Sequence, residues 1–197
     1  AFGFAGAASA QSGPTTVDDI IVTAQKREQN LQDVPIVVTT LSQESLQNAG
    51  VHDIKDLQIL TPGMTVTSTQ SEASTTVRIR GVGTVGDNPG LESSVGVVID
   101  GVYRSRNSVG FGDLGEMSRI EVLKGPQGTL FGKNTSAGVI NILTEAPSFV
   151  PGFNAELTSG NYGQIGMSAS VTGPLSDTLA ARLYVAHRER DGFYNVN

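Results

Sequence analysis

The sequence predicts an α+β fold in two parts: a mixed-sheet domain with short helices, followed by antiparallel strands with the alternation typical of a β-barrel. Up to about residue 147, short β-branched runs alternate with two short helical segments. From Phe153 onward, apolar residues occupy every second position in runs of about ten residues that are separated by tight turns. Of the 24 glycines, nine lie between Gly81 and Gly115, which indicates long connections between short strands.

The composition excludes several function classes. A net charge of −6 and a pI of 4.8 argue against a nucleic-acid partner, because nucleic-acid-binding proteins usually carry a basic face. The absence of Cys excludes disulfides, thiolate metal sites and thiol nucleophiles. The two histidines, His52 and His187, are far apart, and nothing in the sequence groups either with a Ser and a carboxylate in a catalytic pattern. We therefore predict no cofactor, no metal and no enzymatic activity.

The first ten residues, AFGFAGAASA, are apolar and small and end in an A-x-A pattern. This predicts a signal-peptide remnant over residues 1–10, the alternative being a flexible small-residue leader. Residues 11–31 are predicted to form a flexible N-terminus that contains a β-prone run, DDIIVTA, at residues 18–24. This run has no obvious partner within the chain, which suits strand addition to the sheet edge of another protein. The alternative is that it joins the sheet of its own fold.

The segment between residues 34 and 63 predicts one strand and two helices. Residues 34–40 are β-branched and contain Pro35, which favours an edge strand. Ser42 is a favourable N-cap for a helix that ends at Gly50, and Asp53 is a favourable N-cap for a second helix that ends at residues 61–63. Further strands are predicted at 75–80, 95–99, 120–123 and 139–143, with a hairpin turn at Asp100-Gly101.

Two glycine-rich motifs resemble nucleotide-binding fingerprints, and both fail. GVGTVG at 81–86 has the G-x-G-x-x-G spacing, but the following DNPG breaks helices, whereas the fingerprint needs a helix start. GTLFGK at 128–133 has its glycines one residue too close for a phosphate loop, and Asn134 replaces the required Ser or Thr.

Two charged pairs, Arg78 with Arg80 and Arg119 with Glu121, are spaced two residues apart on predicted strands. Each pair therefore shares one strand face. The face is either an exposed polar surface or one buried against a wall that carries carboxylates. Composition leaves both interpretations open.

The C-terminal alternation predicts strands at 153–158, 165–172 and 179–185, with turns at 160–163 and 173–177. Apolar residues on one side and small or polar residues on the other are typical of an outer-membrane barrel, although a soluble meander gives the same pattern. Three strands cannot close a barrel, and an open edge is not tolerated in lipid. A barrel would therefore need further strands.

Several long motifs together resemble the TonB-dependent outer-membrane receptors. DDIIVTAQKREQNLQDVPIVVTTLS is similar to the TonB box of that family and its connection to the plug. VRIRGVG, VGVVIDGVY and RIEVLKGPQGTLFGKNTSAGVINILT resemble successive plug motifs, and VTGPLSDTLAARLYVAHRERDGFY resembles the first barrel strands. The resemblance implies a plug over residues 32–147 and the first strands, 148–197, of an incomplete barrel whose full form has about 22 strands.

The resemblance implies energy-coupled uptake of a scarce, bulky nutrient across the bacterial outer membrane, with the barrel in contact with lipid. The implied ligand is a small molecule such as a ferric siderophore; oligosaccharide, haem and cobalamin are alternatives. The implied partner is TonB, with ExbB and ExbD in the inner membrane. A signalling plug module is a second hypothesis, but it would need a further domain before the box. A soluble α/β hydrolase or nucleotide enzyme is a third, which the failed fingerprints argue against.

The resemblance also implies residue roles. TonB binding falls to Asp18, Asp19, Ile20, Ile21, Val22, Thr23 and Ala24. Ion pairs between plug and barrel fall to Arg78, Arg80, Arg119 and Glu121. The loops that leave the predicted strands supply the ligand-binding candidates Thr84, Asp87, Asn88, Arg104 and Arg106, although solvated loop residues would look the same.

Overall fold

The computed structural model of the chain describes residues 21–23, 29–51, 53–68, 75–84, 91–104, 115–189 and 191. Several residues singled out from the sequence lie outside these ranges: residues 1–10, Asp18, Asp19, Ile20, Ala24, His52, Asp87, Asn88 and Arg106. The described strands are β1 Ile21–Val22, β2 Gln29–Asn30, β3 Val37–Ser42, β4 Met64–Ser68, β5 Thr75–Ile79, β6 Val95–Ile99, β7 Val102–Arg104, β8 Met117–Lys124, β9 Gly138–Thr144, β10 Gly152–Ser159, β11 Ile165–Ser176 and β12 Leu179–Glu189. The described α-helices are α1 Gln43–Asn48, α2 Leu57–Leu60 and α3 Gly128–Phe131.

The centre of the domain is a five-stranded sheet with the order β3-β8-β9-β6-β7. Strands β6 and β9 run parallel, whereas the other neighbours are antiparallel, so the predicted mixed sheet is confirmed. The predicted edge strand is β3, which begins at Val37, two residues after Pro35. The predicted hairpin turn joins β6 to β7, with Asp100 and Gly101 at φ angles of 48° and 79°.

Local signals at the first helix are confirmed. The Ser42 hydroxyl accepts a hydrogen bond from the Ser45 backbone N–H at 3.3 Å, which satisfies one of the free donors at the start of α1. Gly50, with a φ of 64°, follows the end of that helix. The left-handed conformation ends the helix, and Gly adopts it without strain.

The predicted start of the second helix is wrong. Asp53 accepts hydrogen bonds through Oδ1 from the backbone N–H groups of Lys55 and Asp56, so it caps a turn, and α2 begins only at Leu57. Burial raises the pKa of the Asp53 carboxyl, and the nearby charge of Asp56 raises it further. The apolar spacing is retained, because Ile54 and Leu57 are both fully buried.

The central sheet is covered on both faces. Along β8, Ile120 and Val122 point to one face, and Leu123 points to the other. The first face packs against α1, α2 and the β4–β5 hairpin in a cluster that includes Leu46, Ile54, Leu57, Met64, Val77, Ile79, Ile140 and Ile142. The second face packs against the N-terminal segment in a cluster of Val22, Val34, Val98, Leu123 and Val139.

Strands β10, β11 and β12 form a separate antiparallel sheet, here called the wall strands. Its outer face is apolar and exposed: Phe153 pairs with Val171, which pairs with Leu183, and Leu157 is 86% exposed. The turn predicted at 160–163 is present, with Tyr162 and Gly163 at φ angles of 60° and 64°. The turn predicted at 173–177 is wrong, because β11 continues to Ser176 with a shift of register near residue 174.

Among the described residues, no helix has the length and apolar character needed to cross a lipid bilayer.

Candidate functional site

The N-terminal segment around Val22 lies against the second face of the central sheet. Ile21 and Val22 pair with Asn30 and Gln29, so the expectation that this run lacks a partner within the chain is wrong. The run pairs with β2 in a two-stranded sheet of its own. Val22 is fully buried in the second apolar cluster, whereas Ile21 is 43% exposed. Removing Val22 from water therefore favours the docked position.

Thr23 docks on a buried carboxylate. Its backbone N–H donates to Glu121 Oε1 at 2.8 Å, and its hydroxyl lies 3.1 Å from both carboxylate oxygens. Asn141 Nδ2 donates to the Thr23 hydroxyl and to Glu121 Oε2, each at 3.1 Å. Arg119 Nε donates to Glu121 Oε1 at 2.9 Å. These four residues are called the Thr23 seat.

The sheet register builds this seat. Glu121 on β8 is paired directly with Asn141 on β9, and two-residue periodicity puts Arg119 on the same face as Glu121. Glu121 is fully buried, which would be costly for a carboxylate without partners. Its neighbours satisfy both oxygens, so the burial is tolerated.

The structure pairs Arg119 and Glu121 with each other, inside the plug. Of the other charged pair, Arg78 is half-buried on β5, and Arg80 follows that strand with a φ of 53°. Neither Arg78 nor Arg80 pairs with a carboxylate among the described residues. Burial lowers the pKa of Lys124, and the charge of Arg80 lowers it further. The plug–barrel ion pairs assigned to these four positions by resemblance stay a prediction.

A different ion pair joins the plug to the wall strands. Glu116 precedes β8, and its carboxylate accepts hydrogen bonds from Arg182 Nη2 on β12 and, at 2.9 Å, from Asn154 Nδ2 on β10. Burial alone would raise the pKa of Glu116, but hydrogen bonds from Arg182, Asn154 and Ser170 hold it below its ordinary value. Sequence reasoning missed this pair. The available signal was Arg182, a charged residue on the inner side of an alternating strand.

A cavity of about 320 Å³ lies between α1 and the inner side of the wall strands. Gln43 and Gln47 line it from the plug, and Tyr184 and Arg188 line it from β12. Polar side chains therefore face this gap from both sides. No group of three His, Asp or Glu side chains that could hold a metal ion occurs in the part of the chain that the structure describes.

Two of the ligand-binding candidates are described. The Thr84 hydroxyl donates to the Glu92 carbonyl at 2.9 Å and lies 3.0 Å from Ser94 Oγ, so it ties together the two ends of the intervening loop. Lys133 Nζ contacts the Glu92 carboxylate at 2.8 Å on the same side. Arg104 ends β7 and is half-buried, and its Nε is buried with no acceptor among the described residues.

A plug with a docked N-terminal strand, held by a buried ion pair against strands with an exposed apolar outer face, defines a class: outer-membrane receptors. The family described as TonB-dependent Receptor Plug Domain matches residues 30–139, more than half of the chain. The chain belongs to this family. The predicted class, plug fold and outer-membrane location are thereby confirmed, and the family consists of transporters and receptors, not enzymes.

Relatives support the assignment. The chain is 31% identical over 206 residues to an iron-regulated outer membrane virulence protein of Vibrio cholerae, covering 95% of this chain and 30% of that protein. It is 32% identical over 209 residues to the ferrienterobactin receptor of Escherichia coli K12, covering 93% of this chain and 26% of that one. The chain thus spans about a quarter to a third of the length of these relatives.

Solved structures show the same fold. The ferric yersiniabactin uptake receptor FyuA of Yersinia pestis matches with a TM-score of 0.68 and 26% identity, over 77% of this chain and 24% of that one. The pyoverdine receptor FpvA of Pseudomonas aeruginosa matches with a TM-score of 0.75 and 22% identity, over 88% and 25% of the two chains. At that lower identity the second likeness concerns the fold alone.

Proposed function

We propose that this chain comprises the plug and the wall strands of a receptor that takes up a ferric siderophore, or a similarly scarce and bulky nutrient, across the outer membrane. The plug gates the barrel, and the segment at residues 18–24 recruits TonB. The observation that carries the proposal is the docked position of Ile21, Val22 and Thr23 on the plug. Because the segment is held by one buried side chain and by the hydrogen bonds of the Thr23 seat, a partner protein can bind it in place of the plug.

Capture of this segment follows the physics of strand addition. An extended run supplies backbone N–H and C=O groups that pair with the edge of a partner's sheet, and alternate side chains set the register. In this proposal Asp18, Asp19, Ile20, Ile21, Val22, Thr23 and Ala24 form the box that TonB binds, and ExbB and ExbD supply energy from the inner membrane. In this proposal the box leaves the plug when it is captured, because the docked position buries Val22 and engages the Thr23 backbone N–H with Glu121.

The substrate class is proposed from the relatives. The Escherichia coli relative is named a ferrienterobactin receptor, and a 28% identical relative of Vibrio vulnificus is named a vitamin B12 transporter. We propose a ferric siderophore as the substrate, with cobalamin as the comparison ligand. The proposed contacts are Thr84, Asp87, Asn88, Arg104 and Arg106, of which Asp87, Asn88 and Arg106 lie outside the described residues.

The test measures uptake of radioactive iron, supplied as a ferric siderophore, by iron-starved cells. The chromosomal gene is deleted in these cells, and the receptor or its variant is expressed from a plasmid. We expect Val22→Pro to abolish uptake while surface binding of the siderophore persists, because proline removes a backbone donor. Val22→Ala, the matched control, keeps the backbone and should retain most of the uptake. A protonophore should stop uptake by the parent. Undiminished uptake by Val22→Pro would contradict energy coupling through this segment, and uptake of cobalamin alone would replace the substrate class.

Partner binding is tested separately with a peptide of residues 18–24. Titration with the C-terminal domain of TonB should show binding to this peptide and none to the same peptide with Val22→Pro. Equal binding of both peptides would contradict recognition by strand addition.

A further inference from the structure

The Thr23 seat is built around a hydroxyl group. The Thr23 hydroxyl donates toward the Glu121 carboxylate and accepts from Asn141 Nδ2 at 3.1 Å, so both of its hydrogen-bonding capacities are used. The Thr23 backbone N–H occupies the same carboxylate at 2.8 Å. Only Ser or Thr can fill this position with full satisfaction, because Val has the shape without the donor and acceptor.

The seat stays rigid through contacts on its far side. Arg119 donates to Glu121 at 2.9 Å, and Asn141 donates to it at 3.1 Å from the neighbouring strand. These two contacts lie within the central sheet and do not depend on the N-terminal segment. The carboxylate is therefore aimed at residue 23 before that residue arrives, which lowers the entropic cost of docking.

Among the described residues, few other contacts hold the segment at this point. Strand β1 has two residues, and its ladder with β2 has two paired positions, Ile21 with Asn30 and Val22 with Gln29. An isolated two-stranded ladder is at best marginally stable in water. The docked state therefore depends on the burial of Val22 and on the hydrogen bonds of Thr23. When the Thr23 hydrogen bonds are lost, the buried Glu121 carboxylate is left with too few donors.

We propose that Glu121 is a positioning residue that reads the Thr23 hydroxyl and sets the fraction of molecules in which this segment is undocked. The meaning of that fraction for transport rests on the proposed function, in which the undocked segment is the form that TonB takes. The docking equilibrium itself is a property of the plug alone. The two can therefore be measured apart.

The test uses thiol accessibility at residue 22. Residues 1–197 contain no Cys, so Val22→Cys introduces the one thiol of this segment at a position that is 0% exposed when docked, and the receptor with Val22 intact gives the background labelling. Its rate of reaction with a maleimide, measured on the receptor in isolated outer membranes without TonB, reports undocking. Within this background, Thr23→Val should raise the rate on the order of tenfold, the equivalent of hydrogen bonds to one charged group. Thr23→Ser, which keeps the hydroxyl, should leave the rate near that of the parent.

Two further variants complete the design. Glu121→Gln keeps the shape of the seat and removes its charge, so it should also raise the labelling rate. Thr67→Val is the matched control, since it removes a hydroxyl that contacts Thr76 at 3.1 Å in the β4–β5 hairpin, away from the seat. It should leave labelling unchanged.

The outcomes separate this proposal from the proposed function. Equal labelling rates for Thr23→Val and the parent would contradict the proposed role of the Thr23 hydroxyl. A Thr23→Ser variant that is labelled as fast as Thr23→Val would contradict it as well. The Thr23 pair keeps the test valid if Glu121→Gln fails to fold. Crosslinking of the same membranes to TonB tests the partner: labelling that follows the hydroxyl with no crosslink in any variant supports the seat and contradicts the role assigned to TonB.

Discussion

Glu116 and Arg182, which are 66 residues apart in the chain, form an ion pair that joins the plug to the third wall strand. Asn154 on the first wall strand donates to the same carboxylate at 2.9 Å, and Ser170 on the second contributes a further hydrogen bond. One carboxylate thus contacts all three wall strands. Most of it is buried, since the side chains of Glu116 and Arg182 are 11% and 15% exposed.

We expect Glu116→Gln to lower the free energy of unfolding by about 2–4 kcal/mol. The substitution removes the negative charge that compensates the largely buried guanidinium of Arg182. Calorimetry of the purified receptor is the measurement. Glu189→Gln is the control, since Glu189 is 77% exposed and its contact with His187 is 4.0 Å long. If Glu116→Gln lowers the free energy of unfolding no more than the control does, the Glu116–Arg182 pair does not stabilise the fold.

The same carboxylate predicts a dependence of stability on pH. Its pKa in the folded protein lies below the ordinary value of 4.5, so the folded state favours the ionised form. The resulting stabilisation is complete above pH 4.5 and is lost as the pH falls through the lower, folded pKa. Unfolding temperatures measured across that window should fall less steeply for Glu116→Gln than for the parent. Parallel profiles would rule out Glu116 as the group responsible.

Gly138 begins β9 with a φ of 155°, and a β-carbon there would lie 2.4 Å from the Leu123 carbonyl oxygen and 2.8 Å from Ile79 Cδ1. We expect Gly138→Ala to lower the free energy of unfolding by roughly 2 kcal/mol or more, because the obstructing oxygen belongs to the backbone of a core strand. Gly128→Ala at the start of α3 is the control, since nothing lies within 4 Å of its β-carbon position. Similar unfolding temperatures for the two variants would contradict the close approach of β8 and β9.

The exposed apolar face of the wall strands predicts a sensitivity to charge. Leu183 lies on this face and is 63% exposed, and Ala186 lies on the opposite face of the same strand. Leu183→Arg should reduce the amount of assembled receptor in the outer membrane, because a cation on the lipid face costs about 2–4 kcal/mol at mid-membrane. Ala186→Arg should assemble normally. Immunoblots of outer-membrane fractions compare the two, and equal amounts would contradict a lipid-facing role for Leu183.

Much of the fold was predictable because the relevant signals are local. The Ser42 cap and Gly50 bound the first helix, and Asp100-Gly101 forms the hairpin turn, since each conformation depends on residues only a few positions away. Even here the boundaries shifted. Asp53 caps a turn before the helix, because a side chain can satisfy nearby backbone donors without starting a helix at that point.

The candidate site was less predictable because its contacts are long-range. Thr23 and Glu121 are 98 residues apart, and Thr23 and Asn141 are 118 apart. The sequence correctly placed Arg119 and Glu121 on one strand face, yet it offered no way to know that Thr23 would occupy the space above them. The partner of a buried polar group depends on which segment packs over that face, and no local pattern specifies it.

By itself, the sequence determined the family, the mixed sheet, the outward apolar side of the wall strands and the lack of a catalytic or metal-binding pattern in its composition. These follow from motif order, periodicity and residue types. Only the tertiary structure decided that residues 21–23 dock on the plug, that Glu121 receives Thr23, and that Glu116 contacts the wall strands. The physical reason is that a buried charge is stable only where the packing of distant segments brings enough donors to it.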